Sequence, residues 1–376
     1  MKLHRAAVVC LLLLANLASG NSPTVPADYS ALPAHKAMAI GVGDPSVRGM
    51  ASGEPSDQSA SVAALESCIA QNRQAGVCEL VRLNDADITT GSQIRARVPR
   101  SAHPLFLWRF DAGTSIVYLA GSIHVMKPSL FPLPAQFDAA FARANRLAVE
   151  VNTNGLAPEA LREAFRSHAL LPQGQSIGTV LRPATLASVN AHLQAQTATL
   201  ASVATLKPAM LATQLAVARL SALGYLPEFG LEQHFMGAAG ERPILELETL
   251  DEQLAVLTSP PMPVQDEMLA ETLDQMDGIE PVISAMIAAW LSGDDSEFRR
   301  LFDLQSGDSP EIQAFMRRLL EDRNVGMADK VAGYLKIPGT TFVLVGAAHL
   351  TGPEGIVALL ETRGLHGRRI NSNDSI

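Results

Sequence analysis

Apolar runs divide this chain into strands near its two ends and helices in between. Residues 105–110 and 115–120 are apolar runs flanking Asp111-Ala112-Gly113-Thr114, which predicts two strands joined by a hairpin turn. A loop containing Pro128, Pro132 and Pro134 leads into a helix over 135–144, and 146–151 reads as a third strand. Residues 157–239 carry helical patterning, 243–248 a fourth strand, and 250–336 helices again. The run 341–345 predicts a further strand. The helix over 353–363 opens on Pro353 and stops at Gly364, the usual asymmetry of helix ends. Residues 368–370 read as a final edge strand. This order predicts an α/β, or mixed α+β, domain over 103–372, with a central mixed sheet and a large helical insertion as second layer or lid.

The first hundred residues are patterned differently. Lys2, His4 and Arg5 precede an apolar stretch from Ala6 to Leu14, and Ala18-Ser19-Gly20 is a small-residue cleavage site. Residues 1–20 therefore read as a secretory signal, which predicts a periplasmic or secreted protein. The stretch is shorter than the ~20 residues a bilayer span needs, and no later segment is apolar enough, so no membrane span is expected in the mature chain. Residues 21–60, rich in Ser, Pro, Ala and Gly, read as a flexible leader. Residues 61–98 read as a small appendage with a helix at Val62, Leu65 and Ile69. Cleavage removes Cys10 and leaves Cys68 and Cys78, which in an oxidising compartment most simply form one disulfide, the alternative being two buried thiols.

Composition excludes some partners. The chain has 376 residues, 47% hydrophobic and 18% charged, with a formal charge of −9 and no basic run or basic–aromatic stripe. A nucleic-acid partner is not expected, and the body is globular.

The candidate chemistry centres on two Gly-x-x-His tetrapeptides, Gly121-Ser122-Ile123-His124 and Gly346-Ala347-Ala348-His349, each directly after an apolar strand. A lone histidine there is usually structural. Two in matching contexts, at the carboxyl ends of strands where α/β sheets collect their ligands, predict one shared site. Glu150 interrupts the third strand: it is either a buried carboxylate needing a partner or metal, or a residue facing water from an edge. With both histidines it would complete a two-His, one-carboxylate set suited to zinc, manganese, cobalt or iron. Glu246 and Glu248 share a strand face; Glu246 reads as solvated, while Glu248 could enter the site. Glu232 and His234 open a helix after Gly230, where acids often serve only as helix-end charges. Arg323 and Asn324 close the helix that begins near Pro310, and Arg323 could pair with a carboxylate or meet an anionic intermediate. No Gly-x-Ser-x-Gly elbow, His-Glu-x-x-His helix or phosphate-binding loop is present, although a serine triad need not be local in sequence.

These residues carry a resemblance. Tyr118-Leu119-Ala120-Gly121-Ser122-Ile123-His124-Val125, Leu133-Pro134 and Ala148-Val149-Glu150-Val151 come first. Gly230-Leu231-Glu232-Gln233-His234-Phe235, Leu247-Glu248-Thr249-Leu250-Asp251-Glu252-Gln253-Leu254 and Trp290-Leu291-Ser292-Gly293-Asp294 follow. Asp322-Arg323-Asn324 and the stretch from Val345 to Gly355 complete the set. Over about 105–371 the chain resembles the TraB/PrgY/GumN family, its secreted GumN-like branch, which is related to the Tiki metalloproteases. It departs in having Glu232 where aspartate is commoner, and Ser122 where threonine is common.

The resemblance implies a TraB/Tiki-like α/β domain whose presumed active centre comprises His124, His349 and Glu150. It also implies metal-dependent peptidase activity supported by manganese or cobalt. The resulting expectation is an exported hydrolase of peptide or other amide bonds, acting on a peptide or small molecule. His124, Glu150 and His349 would hold a divalent ion (Mn, Co or Zn), Glu248 or Glu232 would move the proton, and Arg323, beside Asn324, would stabilise an oxyanion. The GumN name comes from exopolysaccharide gene clusters. The alternative is accordingly a non-catalytic metal- or haem-binding protein, or a polysaccharide-assembly accessory, on the same fold.

Overall fold

The structure, a computed structural model, describes residues 26, 28–72, 76–304 and 309–376. The secretory signal read over 1–20 lies outside the described residues, and so does Cys10. Two sheets organise the rest. The first has four strands, β1 (Ala37–Gly41), β2 (Asp44–Ala51), β3 (Cys78–Leu83) and β4 (Ala86–Asp87), in the order β2-β1-β3-β4. The second has six: β5 (Pro104–Ala112), β6 (Ser115–Ser122), β7 (Arg146–Val149), β8 (Ile244–Glu246), β9 (Gly339–Gly346) and β10 (Arg368–Asn371). Their order is β10-β5-β6-β9-β7-β8. The mixed sheet expected from sequence is present.

In the main sheet β5 and β6 form the predicted hairpin, with Gly113 supplying the positive φ of 59° at its turn. The strands β6, β9, β7 and β8 are mutually parallel. The helix Ala135–Arg143 makes the crossover from β6 to β7, and β9, formed almost two hundred residues later, enters between them. The β9 core is continuously apolar, and Phe342, Val343, Leu344 and Val345 are all fully buried. That pattern is expected of a central parallel strand covered on both faces. Parallel pairing has one consequence that matters here: the carboxyl ends of β6, β9, β7 and β8 all lie on one side. Helices between Pro158 and Ser292 form the expected insertion, with a cluster of their own around Ile177, Val189, Leu211 and Leu269. Among the described residues no helix is long and apolar enough to cross a membrane.

Two readings of the amino-terminal region are corrected. Residues 37–51 are the hairpin β1–β2, not part of a flexible leader: Ala37, Met38, Ala39 and Ile40 are all buried. Small residues alternating with Met and Ile make a short, well-buried strand, set within a longer stretch whose Ser, Pro, Ala and Gly content passes for a linker. Residues 61–98 are likewise no separate appendage. The helix Asp57–Gln71 packs on β1 and β2, Cys68 and Cys78 form a disulfide, and Ala60, Ala64, Leu80 and Leu83 belong to the same buried cluster as Phe106, Tyr118 and Leu344. Buried polar groups fasten this junction. Glu79 accepts from Gly91 N at 2.8 Å and Ser129 Oγ at 2.6 Å, and Glu280 accepts from Thr89 N and Tyr225 OH, both at 2.9 Å. The Lys127 ammonium, 4.5 Å above the Tyr225 ring, is pushed down to about 8 by burial.

A third correction concerns residues 310–324. Instead of one helix there are two, Pro310–Leu319 and Glu321–Tyr334, broken at Leu320 (φ −116°, ψ −74°). Arg323 and Asn324 therefore open the second helix. Glu321 and Asp322 favour a helix start at that point, and Arg323 Nη1 turns back to donate to Leu319 O at 2.6 Å.

Gly293 caps the helix Ile279–Ser292 with φ +67°, and a Cβ there would stand 1.8 Å from Pro104 O. Gly293→Ala is expected to lower unfolding stability by about 2 kcal/mol or more, combining left-handed strain with overpacking. Replacing Cys68 and Cys78 by serine, opening a loop with a sequence separation of 10, is expected to lower it by about 2–3 kcal/mol. Urea unfolding followed by circular dichroism measures both.

Candidate active site

The four parallel strand ends deliver four candidate residues to one side of the sheet. His124 lies two residues past β6, and Glu150 directly follows β7. Glu248 lies two past β8, and His349 sits in the short 3-10 turn Ala347–Leu350 after β9. Gly346 marks the point of convergence. A Cβ on it would stand 3.1 Å from Glu150 Oε1, 3.3 Å from His124 Nε2 and 3.6 Å from His349 Cδ2. Its φ of −48° suits any residue, so the glycine of the second motif provides space and not backbone freedom. Gly121 provides space in the same way, since a Cβ would meet Ala347 Cα, Leu350 Cδ1 and Phe106 Cδ1, each at 3.1 Å. Trp290, buried in the core, donates through Nε1 to Gly121 O at 2.8 Å and fixes the turn from strand to histidine.

His124 is the exposed member, its side chain 65% accessible. Its Nδ1 stands 2.9 Å from Glu232 Oε1, and the Ser122 hydroxyl donates to that same oxygen. The Glu232 carboxylate raises His124 to about 9. Gly230 permits this pairing, because a Cβ there would lie 2.3 Å from His124 O, while Leu231 N donates to Ile123 O at 3.1 Å. Glu232 is thus more than a helix-end charge. His234 points elsewhere, 3.5 Å from Asp138.

His349 is buried and held from behind. Asn324 Nδ2 donates to Glu354 O at 2.7 Å, which leaves Asn324 Oδ1 as the acceptor facing His349 Nδ1 at 2.6 Å. The proton of the neutral ring is therefore assigned to Nδ1, and Nε2 keeps a lone pair facing Glu150 Oε2 at 3.9 Å. Burial pushes His349 down to about 4.

Glu150 is buried, which settles its two readings against an edge facing water. Burial alone would raise its pKa. His349, His124, Arg323 and the Gly346 N–H oppose burial and bring it to about 2. Near neutral pH His349 carries no charge, so the ionised state rests on His124, on Arg323 Nη2 at 3.0 Å and on Gly346 N at 2.6 Å. Arg323 also grips Glu248, with Nε donating to Oε2 at 2.9 Å and Nη2 to Oε1. Burial nonetheless pushes Glu248 upward. With Nη1 on Leu319 O, the guanidinium is committed at every nitrogen, which is the carboxylate pairing foreseen for it. Glu246 is exposed, as expected.

Gln253 was missed by sequence reasoning. Its Nε2 donates to Glu248 Oε1 at 3.1 Å and reaches Glu150 Oε2 at 3.4 Å. The available signal was the capping box at Thr249 and Glu252, which fixes the phase of the helix Leu250–Leu257 and turns Gln253 toward the strand ends.

The donor chemistry fits a divalent ion. Both histidines are oriented through Nδ1, the arrangement that metal-ligating imidazoles use, which leaves the two Nε2 atoms facing the Gly346 region. Two ligands each about 2.0–2.2 Å from one ion stand at most about 4.4 Å apart, and the 3.9 Å between His349 Nε2 and Glu150 Oε2 lies within that reach. As the side chains stand, no group of three or more His, Cys, Asp or Glu among the described residues encloses an ion. Glu150 faces Gly346 N–H and Arg323, with which an ion would compete.

The titrations have definite signs for the metal-free protein. Folded His349 titrates near 4 against about 6.5 unfolded, so its contribution, full above 6.5, is lost as pH falls toward 4. Glu150, near 2 against about 4.5 unfolded, adds a loss from pH 4.5 downward. His124, near 9, contributes fully below 6.5 and loses its contribution as pH rises through 9. Urea midpoints of metal-free protein are therefore expected to peak near pH 6.5, with His124→Ala flattening the alkaline limb; an unchanged limb would contradict the pairing with Glu232. Arg323→Ala, leaving Glu150 and Glu248 buried without their cation, is expected to cost about 3–5 kcal/mol in the same assay.

No curated protein and no solved structure is matched by this chain. The model of the TraB/PrgY/gumN family matches residues 106–369, from within β5 to within β10, and spans both Gly-x-x-His motifs and every site residue described above. That match covers most of the sequence, and the chain belongs to the TraB/PrgY/gumN family.

Proposed function

We propose that the protein is an exported, divalent-metal-dependent hydrolase that cleaves peptide or other amide bonds at the carboxyl ends of β6, β9 and β7. The observation that carries this reading is the convergence of His124, Glu150 and His349 around Gly346, with each imidazole anchored through Nδ1. His124, Glu150 and His349 would hold the ion, which when bound supplies a water of lowered pKa and polarises the scissile carbonyl.

The remaining residues have separable roles. Glu232 and Ser122 orient His124, and Asn324 fixes the ring of His349. Glu248, the carboxyl that burial pushes up, moves the proton between attacking water and leaving amine. Arg323 acts as a positioning residue in place of the oxyanion stabiliser expected from sequence, because its nitrogens are already occupied. The apolar start of the chain and the Cys68–Cys78 disulfide support export. The commitment of Arg323 to Glu150, Glu248 and Leu319 O, which leaves it no uncommitted nitrogen for an anionic intermediate, favours a second reading, in which the same site binds metal without turnover.

Elemental analysis of purified protein is expected to give one manganese, cobalt or zinc per chain, and none in the His124→Ala/His349→Ala variant. Chelation and either single substitution should abolish hydrolysis of a quenched-fluorescence peptide library without lowering the helical signal. Asn324→Leu should reduce turnover about 10–100-fold through loss of ring orientation. Metal uptake without any cleavage would favour the binding reading, and full activity in metal-free protein would overturn the proposal.

A further inference from the structure

A cleft of about 650 Å³ opens beside the outer strand of the main sheet. One wall is β8, a second is the segment after β7 that carries Asn152 and Leu156, and the third is the distal half of the helix Glu321–Tyr334, with Lys330 and Tyr334. These are the elements that hold the carboxylate–arginine cluster. Asn152 lies two residues past Glu150, Glu246 two before Glu248, and the helix is the one that carries Arg323.

Three features of the cleft point the same way. First, β8 ends the sheet and pairs only with β7. Leu147 N donates to Pro243 O and Leu247 N to Val149 O, so Pro243, Leu245 and Leu247 turn their backbone groups toward β7. The alternation of a parallel ladder then turns the N–H and C=O of Ile244 and Glu246 outward. Second, the side-chain oxygen of Asn152 is buried and has no hydrogen-bond partner. Buried acceptors are nearly always satisfied, and a turn of this side chain, whose residue lines the cleft, would bring the oxygen to a ligand's donor. Third, the apolar surfaces of Leu156, Ile244 and Tyr334 are flanked by Glu246 on the strand wall and Lys330 on the helix wall. Side chains of either charge find a complement there.

We propose that this cleft binds an extended segment of peptide substrate, added as a further strand along β8. An apolar side chain would sit against Leu156, Ile244 and Tyr334, and Asn152 would accept from a substrate amide. This inference rests on the hydrolase reading above and names its substrate class as extended polypeptide. Because β8 runs toward Glu248, a chain held along it is directed to the strand ends where His124 and His349 lie.

Binding tests it separately from turnover. The probe is a fluorescein-labelled ten-residue peptide of alternating Val and Ser, titrated by fluorescence polarisation into the His349→Ala protein. Saturable binding is expected, weakened at least tenfold by Glu246→Pro, which removes an outward N–H without touching the β7 pairing. Glu246→Ala, which retains that N–H, should stay within about threefold of the parent. N-methylation of alternate probe amides should weaken binding as strongly as the proline, so the result stands even if that variant fails to fold. Absence of binding, indifference to N-methylation, or equal loss in Glu246→Ala would overturn the inference. Cleavage of the quenched-fluorescence peptide library by the wild-type protein reports on the hydrolase reading alone. If binding holds where that cleavage fails, the cleft stands and the hydrolase reading falls; the reverse result removes the cleft and leaves the hydrolase reading in place.

Discussion

One guanidinium makes the rest of this site possible. Glu150 and Glu248 are buried close together, and two buried carboxylates repel each other and lose their hydration. Arg323 answers both with a single fork, and Gln253 and Gly346 N–H take up remaining lone pairs. The break at Leu320 allows Arg323 to sit in the first turn of its own helix, pointing at the strand ends. A continuous helix from Pro310 would have set its direction by the phase of the apolar stripe instead. The site thus depends on a local irregularity that is anchored by charge.

The two histidines divide the labour left over. Both are held through Nδ1, but by opposite means: an ionised carboxylate behind His124 and a neutral amide behind His349. The carboxylate raises one imidazole while burial lowers the other. Near neutrality the pair therefore consists of one protonated and one neutral ring when no ion is bound. Under the proposed metal-dependent reading, an ion would have to displace the proton from His124, whereas His349 is already neutral. Two matching tetrapeptides have become unlike halves because their surroundings differ.

The legible part of this molecule was the main sheet. Apolar runs with clear ends, such as 115–120 and 341–345, specified strands, and the glycine–histidine spacing placed both imidazoles at their carboxyl ends. Glu150 showed itself as a charge inside an apolar run. What was illegible depended on contacts distant in sequence. The strand Ala37–Gly41 is five residues within a stretch rich in Ser, Pro, Ala and Gly, and its burial is decided by a helix and a second strand, so the composition of the stretch suggested a linker. The helix break at Leu320 has no glycine or proline to announce it. Gln253 acquires its importance only when Glu150 and Glu248, far apart in the chain, are side by side.

The late arrival of β9 gives the fold an order of assembly. It sits between β6 and β7, yet it is made after nearly nine-tenths of the chain. Until residues 339–346 are present, β6 and β7 have no central partner to join them. The Gly346 N–H that helps keep Glu150 ionised is missing too, along with the second imidazole. An incomplete chain therefore holds the parts of the site without the strand that brings them together. The candidate site is assembled only once β9 has joined β6 to β7, however early its other residues are made.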